Sequence, residues 1–571
     1  MDCSNQSVPE VPLRKPETVM SLARLGSFHQ CRLSFMRTLL RRMTRERWTF
    51  ERSLFDIDSA GVGTAIYSAH GPERTYSLVC FAHDLPADQR SDRVIAHAWD
   101  STFTLFDGVP TEEDITRLSQ NVPKQEAGRV TSSEISVSRA NRSVRLFEHV
   151  VASLAAGHQP DLKQVDAVGY LMRTTAVYGS GKLGAADREV VANRPELAGP
   201  FQPEMLSVFL TRAYTLDLVE HLAQTRSPET AVTIDSDIRR KFGVGNATGL
   251  GLGPFIINHP VLFNNWITAR EQALARVRSQ ADAPDAKVEA FRQIVARAQR
   301  NVDQWRSEHP LQVAKLADLS ADLERINSIC AGILTGEGQA PWDRLYNWAE
   351  ENLSLEGQEQ LVSMMLEPFS ELVDELADQM SADESTAFWI DGAMPLNRLR
   401  AIVTDVYQWA LQIDWTEPDN QAQAWYVSEE KLEPRIGKRF EEPIEPYEQP
   451  LAPGRDAAAM HADISTWDGE DTVAAFLLAH PQHRHIARRA QITDRFPYAE
   501  IRDNTISADL LPIDLLRCKL AYFGATHFDP RSDRWVRINM FRNAPFPNEL
   551  HDDEDNWSYP PLQETNRCGA R

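Results

Sequence analysis

Residues 316–330, LADLSADLERINSIC, carry the pattern that decides the fold class. Leu316, Leu319, Leu323, Ile326 and Cys330 recur at spacings of three and four, which puts them on one face of an α-helix. The same period returns on either side of this stretch. It marks Val288, Phe291, Val295 and Ala298, and further back Leu206, Phe209, Ala213 and Leu216. Ala140, Val144, Phe147, Val151 and Leu154 give another helix, stopped by Gly157, a residue suited to a helix C-terminus. Two more helical stretches are expected over 357–380 and 394–413. Amphipathic helices must bury their apolar faces against one another, so residues 136–440 read as one central helical domain interrupted by glycine-rich loops.

Upstream, residues 1–135 read as a helix followed by a β-rich unit. The helix is expected from Pro16 to Trp48, with Leu33, Met36, Leu40 and Met43 on its apolar face. Gly63 to Ala69 and Thr75 to His83 read as two strands joined by a turn at His70–Glu73, and Val94 to Phe106 adds a third. Downstream, Pro443, Pro446, Pro450 and Pro453 alternate with acidic residues and mark 441–456 as an extended linker. Residues 457–571 then form a smaller α+β unit. It begins helical over Asp471 to Arg489, has a strand-like run from Trp535 to Phe541, and ends in an acidic tail at Asp552–Asp555. The expected class is α+β, predominantly α-helical.

Composition narrows the function classes. The 571 residues include 42% hydrophobic and 25% charged residues, ordinary for a folded chain with a large core. A net charge of −22 repels polyanions, so a general nucleic-acid or anionic-membrane binder is disfavoured. No apolar run is long enough to span a bilayer, and no secretory leader is visible near Met1. Six cysteines without a C-x-x-C pair fit reduced thiols in a cytoplasm, and no disulfide framework or thiolate zinc module is expected. The chain also lacks a G-x-S-x-G elbow and an H-E-x-x-H helix.

Four segments are able to carry chemistry. Gly179–Gly184 (GSGKLG) satisfies G-x-G-x-x-G after a strand-compatible run. Its backbone N–H groups suit an anion, with Tyr178 and Lys182 beside it. It is no Walker A loop, because Leu183 follows the lysine. Gly243–Gly253 holds five glycines in eleven residues, an entropic cost that a plain turn seldom requires. It leads into Asn258, His259 and Asn264, a mixture of polar and large apolar groups suited to a pocket wall. Arg37, Arg41 and Arg45 form a basic stripe at every fourth residue, able to clamp phosphate or carboxylate. Finally, His480, His483 and His485 cluster, but at α-helical spacing they do not share one face. That segment therefore reads as a solvated, basic helix start, and no metal is expected.

Together these features suggest an enzyme of unassigned reaction acting on a small anionic carboxylate or phosphate substrate. His259, Tyr178 and Lys182 are the catalytic candidates; Asn246, Thr248, Asn258, Asn264, Arg37 and Arg41 are the substrate-binding ones. No cofactor is indicated by any motif, and a homo-oligomer is compatible with the composition. The alternatives are a non-enzymatic helical scaffold and, through the arginine helix, an RNA binder.

Overall fold

Alternating side chains over 63–82 predict a hairpin, and two strands form there, β2 (Gly63–His70) and β3 (Thr75–Ala82), in continuous antiparallel register. The computed structural model describes residues 11–86, 98–124, 130–175, 193–249, 260–303, 305, 307, 310–380, 391–417, 420, 425–427, 448–450, 453–502, 513–525, 528–532, 535–550 and 557–558. Within them the chain is mixed α+β and mainly helical. The hairpin belongs to a nine-stranded sheet.

β1 (Thr49–Ile57), β2, β3, β4 (Ser101–Asp107), β5 (Glu134–Arg142) and β6 (Tyr170–Thr174) follow one another as antiparallel neighbours. β7 (Gly243–Gly249) then lies parallel to β6. A separate pair joins β8 (Trp425–Val427) to β9 (Glu448–Pro450), the latter inside the proline-rich stretch. β10 (Phe528–Ser532) and β11 (Trp535–Met540) complete the large sheet, with β11 antiparallel to β7. The sheet thus takes strands from the first, central and last parts of the chain.

The Gln202–Arg226 helix packs along β2 to β7 and is buried over most of its length. Polar residues serve this position as well as apolar ones. Tyr214 stacks edge-on with Tyr67 and Phe103 and shares a hydrogen bond with Ser101, while Ser207 pairs with Ser136 at 2.8 Å. On another face, Ile66, Val79, Phe81, Phe106 and Val137 pack against Leu118 and Val122 of a second helix. That helix, Glu112–Asn121, starts with a reciprocal Thr111–Asp114 capping box. A distinct core gathers the Leu396–Val406, Gly454–Ile464, Val473–Ala479 and Arg484–Arg495 helices around Leu399, Val403, Tyr407, Met460 and Phe476.

Three expectations about elements are corrected. The Pro16–Trp48 helix is broken into Pro16–Val19, Leu22–Leu25 and Phe35–Arg45. The chain leaves the helix at Gly26, whose carbonyl receives Lys315 Nζ (3.2 Å) and the Arg517 guanidinium. A Cβ on Gly26 would lie 2.2 Å from Asp514, so only glycine allows this approach. Ala140 belongs to β5 rather than to a helix, and Val144 is exposed; the helix itself spans Phe147–Ala155. Gly243–Gly249 is a strand, not a loop. There glycine permits close strand packing, since a Cβ on Gly243 would meet Met540 O at 2.5 Å and one on Gly245 the Tyr170 ring at 2.7 Å.

Candidate functional site

The N-terminal 14–45 segment carries arginines in two environments. The first is a buried lattice. Arg14 donates to both carboxylate oxygens of Glu271 (2.7 Å each) and to Glu359 (2.6 Å). Arg24 and Arg270 reach the same Glu359 at 2.7 and 2.6 Å, so three guanidiniums share one carboxylate. Nearby, Glu356 is gripped by Arg517 and by His29 Nε2 at 3.0 Å, with Trp305 stacked on the imidazole. Burial by itself would raise the Glu356 and Glu359 carboxyls, but the facing guanidiniums outweigh it and hold both well below the usual carboxylate range. Burial lowers His29, with Glu356 opposing, so its imidazole is neutral near pH 7.

The second environment is a cleft of about 500 Å³ at the Phe35–Arg45 helix. Arg32, Arg41, Arg42 and Arg45 line it, with Asp374 and Asp378 the acidic residues opposite. Arg32 holds Asp374 through two bonds of 2.8 and 2.6 Å, and Arg41 approaches the same carboxylate at 3.4 Å. Arg42 is different. Its guanidinium donates to the carbonyl oxygens of Ala198 (2.5 Å) and Glu196 (3.1 Å), and among the described residues no carboxylate lies within ion-pair distance. Burial pushes its pKa down, Arg45 adds to that, and Glu46, Asp378 and Glu196 oppose it. Arg45 is largely exposed, its nearest carboxylate being Glu46 at 3.9 Å. Pro545 and Trp557 supply an apolar wall, and the buried indole N–H of Trp557 has no hydrogen-bond partner among the described residues.

The arrangement can hold an anion. Arg42, fixed by carbonyl oxygens and partly desolvated, attracts a negative group more strongly than the same charge in water, and exposed Arg45 adds its charge at the rim. The volume admits a group of metabolite size rather than a single ion.

Of the described residues expected to form a site, Arg41 alone lines this cleft. Arg37 is corrected: it is fully buried and pairs both its terminal nitrogens with Glu367 at 2.6 and 2.7 Å. Arg37, Arg41 and Arg45 therefore do not form one outward stripe. Asn264 is buried; its Oδ1 accepts the Tyr498 backbone N–H (2.9 Å) and its Nδ2 donates to Asn265, tying two segments together. Asn246 donates to Thr174 O across β6 and β7 while its buried Oδ1 has no partner. Thr248 belongs to β7 by its backbone. Tyr178, Lys182, Asn258 and His259 lie outside the described residues. Thr174 and Asn246 are register partners on parallel strands, so the chain leaves β6 and β7 on the same side of the sheet.

Arg45 was available in the sequence as a member of the stripe and Arg42 only as its neighbour; the opposing wall comes from residues hundreds of positions away. Comparison with family models, curated proteins and solved structures finds no match to this chain. Among the described residues no helix is long and apolar enough to cross a membrane.

Proposed function

We propose that this protein binds a small anionic molecule, bearing a phosphate or carboxylate, in the cleft lined by Arg41, Arg42 and Arg45. The observation that carries the reading is Arg42: a part-buried guanidinium, held by neutral carbonyl oxygens and, among the described residues, with no carboxylate within ion-pair distance, beside a second cation. Ion pairing within the protein accounts for Arg32 and Arg37 and leaves this charge over. Arg45 at the rim draws the ligand in, Arg42 fixes it, and the Trp557 indole closes the apolar side. No reaction is assigned to the cleft.

Isothermal titration with inorganic phosphate, pyrophosphate and citrate tests the reading at low ionic strength. At least one of the three is expected to bind, with affinity falling as salt screens the pair. The Arg42→Gln, Arg45→Gln double variant should lose that binding while its thermal midpoint stays close to the parent. Binding that is unchanged in the double variant overturns the proposal, as does a failure of all three probes.

A further inference from the structure

Far from the arginine cleft in sequence, the smaller helical core brings together Asp463, His480 and His483. Asp463 ends the Gly454–Ile464 helix, and the two histidines bracket a short 3₁₀ turn, Pro481–His483, that follows the Val473–Ala479 helix. In a 3₁₀ turn residues three apart eclipse one another, so His480 and His483 face the same way. Spacing along the chain allows the two histidines to meet but cannot show Asp463, which a different helix brings to them. The solvated helix start expected here is corrected as well, since His483 is buried, 4% exposed.

The three side chains offer one donor atom each, and those atoms all lie within 4.8 Å of one another. Asp463 Oδ2 stands 2.7 Å from His483 Nε2 and 3.7 Å from His480 Nδ1. An ion with bonds of ~2.0–2.1 Å to nitrogen and oxygen needs donors roughly 3.3 Å apart in tetrahedral geometry. The two Asp463 edges must lengthen and shorten by about half an ångström, and the edge between the two imidazole nitrogens, at most 4.8 Å, closes to the same length by side-chain adjustment at partly exposed Asp463 and His480. The rings are already oriented by apolar neighbours. Phe476 stacks on His483 with planes 3° apart, and Trp467 meets His480 edge-on.

We propose that Asp463, His480 and His483 bind one divalent transition ion of the zinc class. Two imidazole nitrogens and one carboxylate oxygen select such an ion over magnesium or calcium, which take oxygen donors. Three protein ligands leave a further position for water or a partner's donor atom. The half-exposed edge formed by His480 and Asp463 gives the ion its way in.

A built-in reporter lies beside the cluster. Trp467 Nε1 donates to His480 Nε2 at 3.3 Å, and the Gln482 side-chain nitrogen lies 3.4 Å from His480 Nδ1; a neutral ring accepts at one nitrogen only, so where the shorter indole bond is made the proton sits on Nδ1 and Gln482 donates nothing there. An ion bound at Nδ1 shifts that proton to Nε2, opposite the indole N–H, and the Trp467 bond opens. Zinc is therefore expected to change the emission of Trp467 as well as to bind.

The experiment uses the full chain, freed of metal with a chelator and titrated with zinc chloride by calorimetry and by fluorescence. One ion per chain is expected at micromolar zinc or below. Asp463→Asn and His483→Gln should each weaken it by at least about tenfold. Trp467→Phe should keep the binding and abolish the emission change. His480→Gln, at a partly exposed position, serves as the variant least disturbing to the fold, and zinc should raise the thermal midpoint of the parent but not of this variant. No stoichiometric binding, affinity unchanged in these ligand variants, or binding without a change in emission would each overturn the proposal.

Discussion

Arg14, Arg24, Arg42 and Arg45 lie within one short stretch of chain, yet two of them pair with buried carboxylates and two line a cleft. In the buried lattice each guanidinium faces a carboxylate supplied by a distant helix: Glu271 from Pro260–Arg278, Glu359 from Leu355–Leu366. In the cleft the same residue type meets carbonyl oxygens or solvent. An arginine's role here follows from what the fold places opposite it. Charge is expensive to bury without a partner, so the buried set is fully committed, while the cleft set is tolerated because water reaches it.

The comparison breaks most visibly at Glu359. Glu359→Gln leaves Arg14, Arg24 and Arg270 sharing a neutral amide, and a loss of ~3–5 kcal/mol is expected in urea denaturation followed by circular dichroism. A loss below ~1 kcal/mol would show that Glu271 alone sustains the lattice and would remove the distinction between the two sets.

Acid comes next. Glu356 and Glu359 are depressed in the folded state, so their contribution is fully present above the unfolded pKa of about 4.3 and disappears as pH falls toward their folded values. Each is expected to contribute on the order of 2–3 kcal/mol. His29, lowered by burial, takes up a proton on unfolding, so a shallower loss begins below about pH 6.5. Urea midpoints measured from pH 7 to pH 3 should show both segments, and His29→Gln should flatten the upper one.

The cleft arginines should affect stability less and binding more. Arg42→Met removes two bonds to carbonyl oxygens at a cost of ~1 kcal/mol, and anion affinity should fall roughly tenfold, equivalent to ~1.4 kcal/mol. Arg45→Gln should leave stability within ~0.5 kcal/mol, detectable only as weaker anion binding with a flatter dependence on salt. Equal stability losses at Arg42 and Glu359 would place Arg42 in the structural set.

The helices were readable where one face is apolar and the other polar. Val288, Phe291, Val295 and Ala298 line the buried side of the Asp285–Val302 helix, and Leu319, Leu323, Ile326 and Cys330 that of Pro310–Thr335. The β2–β3 hairpin was readable from two short strand-forming runs on either side of the His70–Glu73 turn, although both of its faces are buried. Gly243–Gly249 was misread because glycine reports only that something comes close, and here it is Met540 and Tyr170 rather than a ligand. Arg37 was misread because Glu367, its partner, is far away in sequence.

By itself, the sequence determined a folded, acidic, mainly helical chain with a β-hairpin near its start, because periodicity and charge are local or additive properties. Tertiary structure decided the rest. It paired β7 with β11 and joined three guanidiniums, Arg14, Arg24 and Arg270, at Glu359. It also left Arg42 facing carbonyl oxygens and set Asp463 against two histidines. Each of those outcomes depends on distances between residues remote in the chain, which burial and packing fix and which no local pattern records.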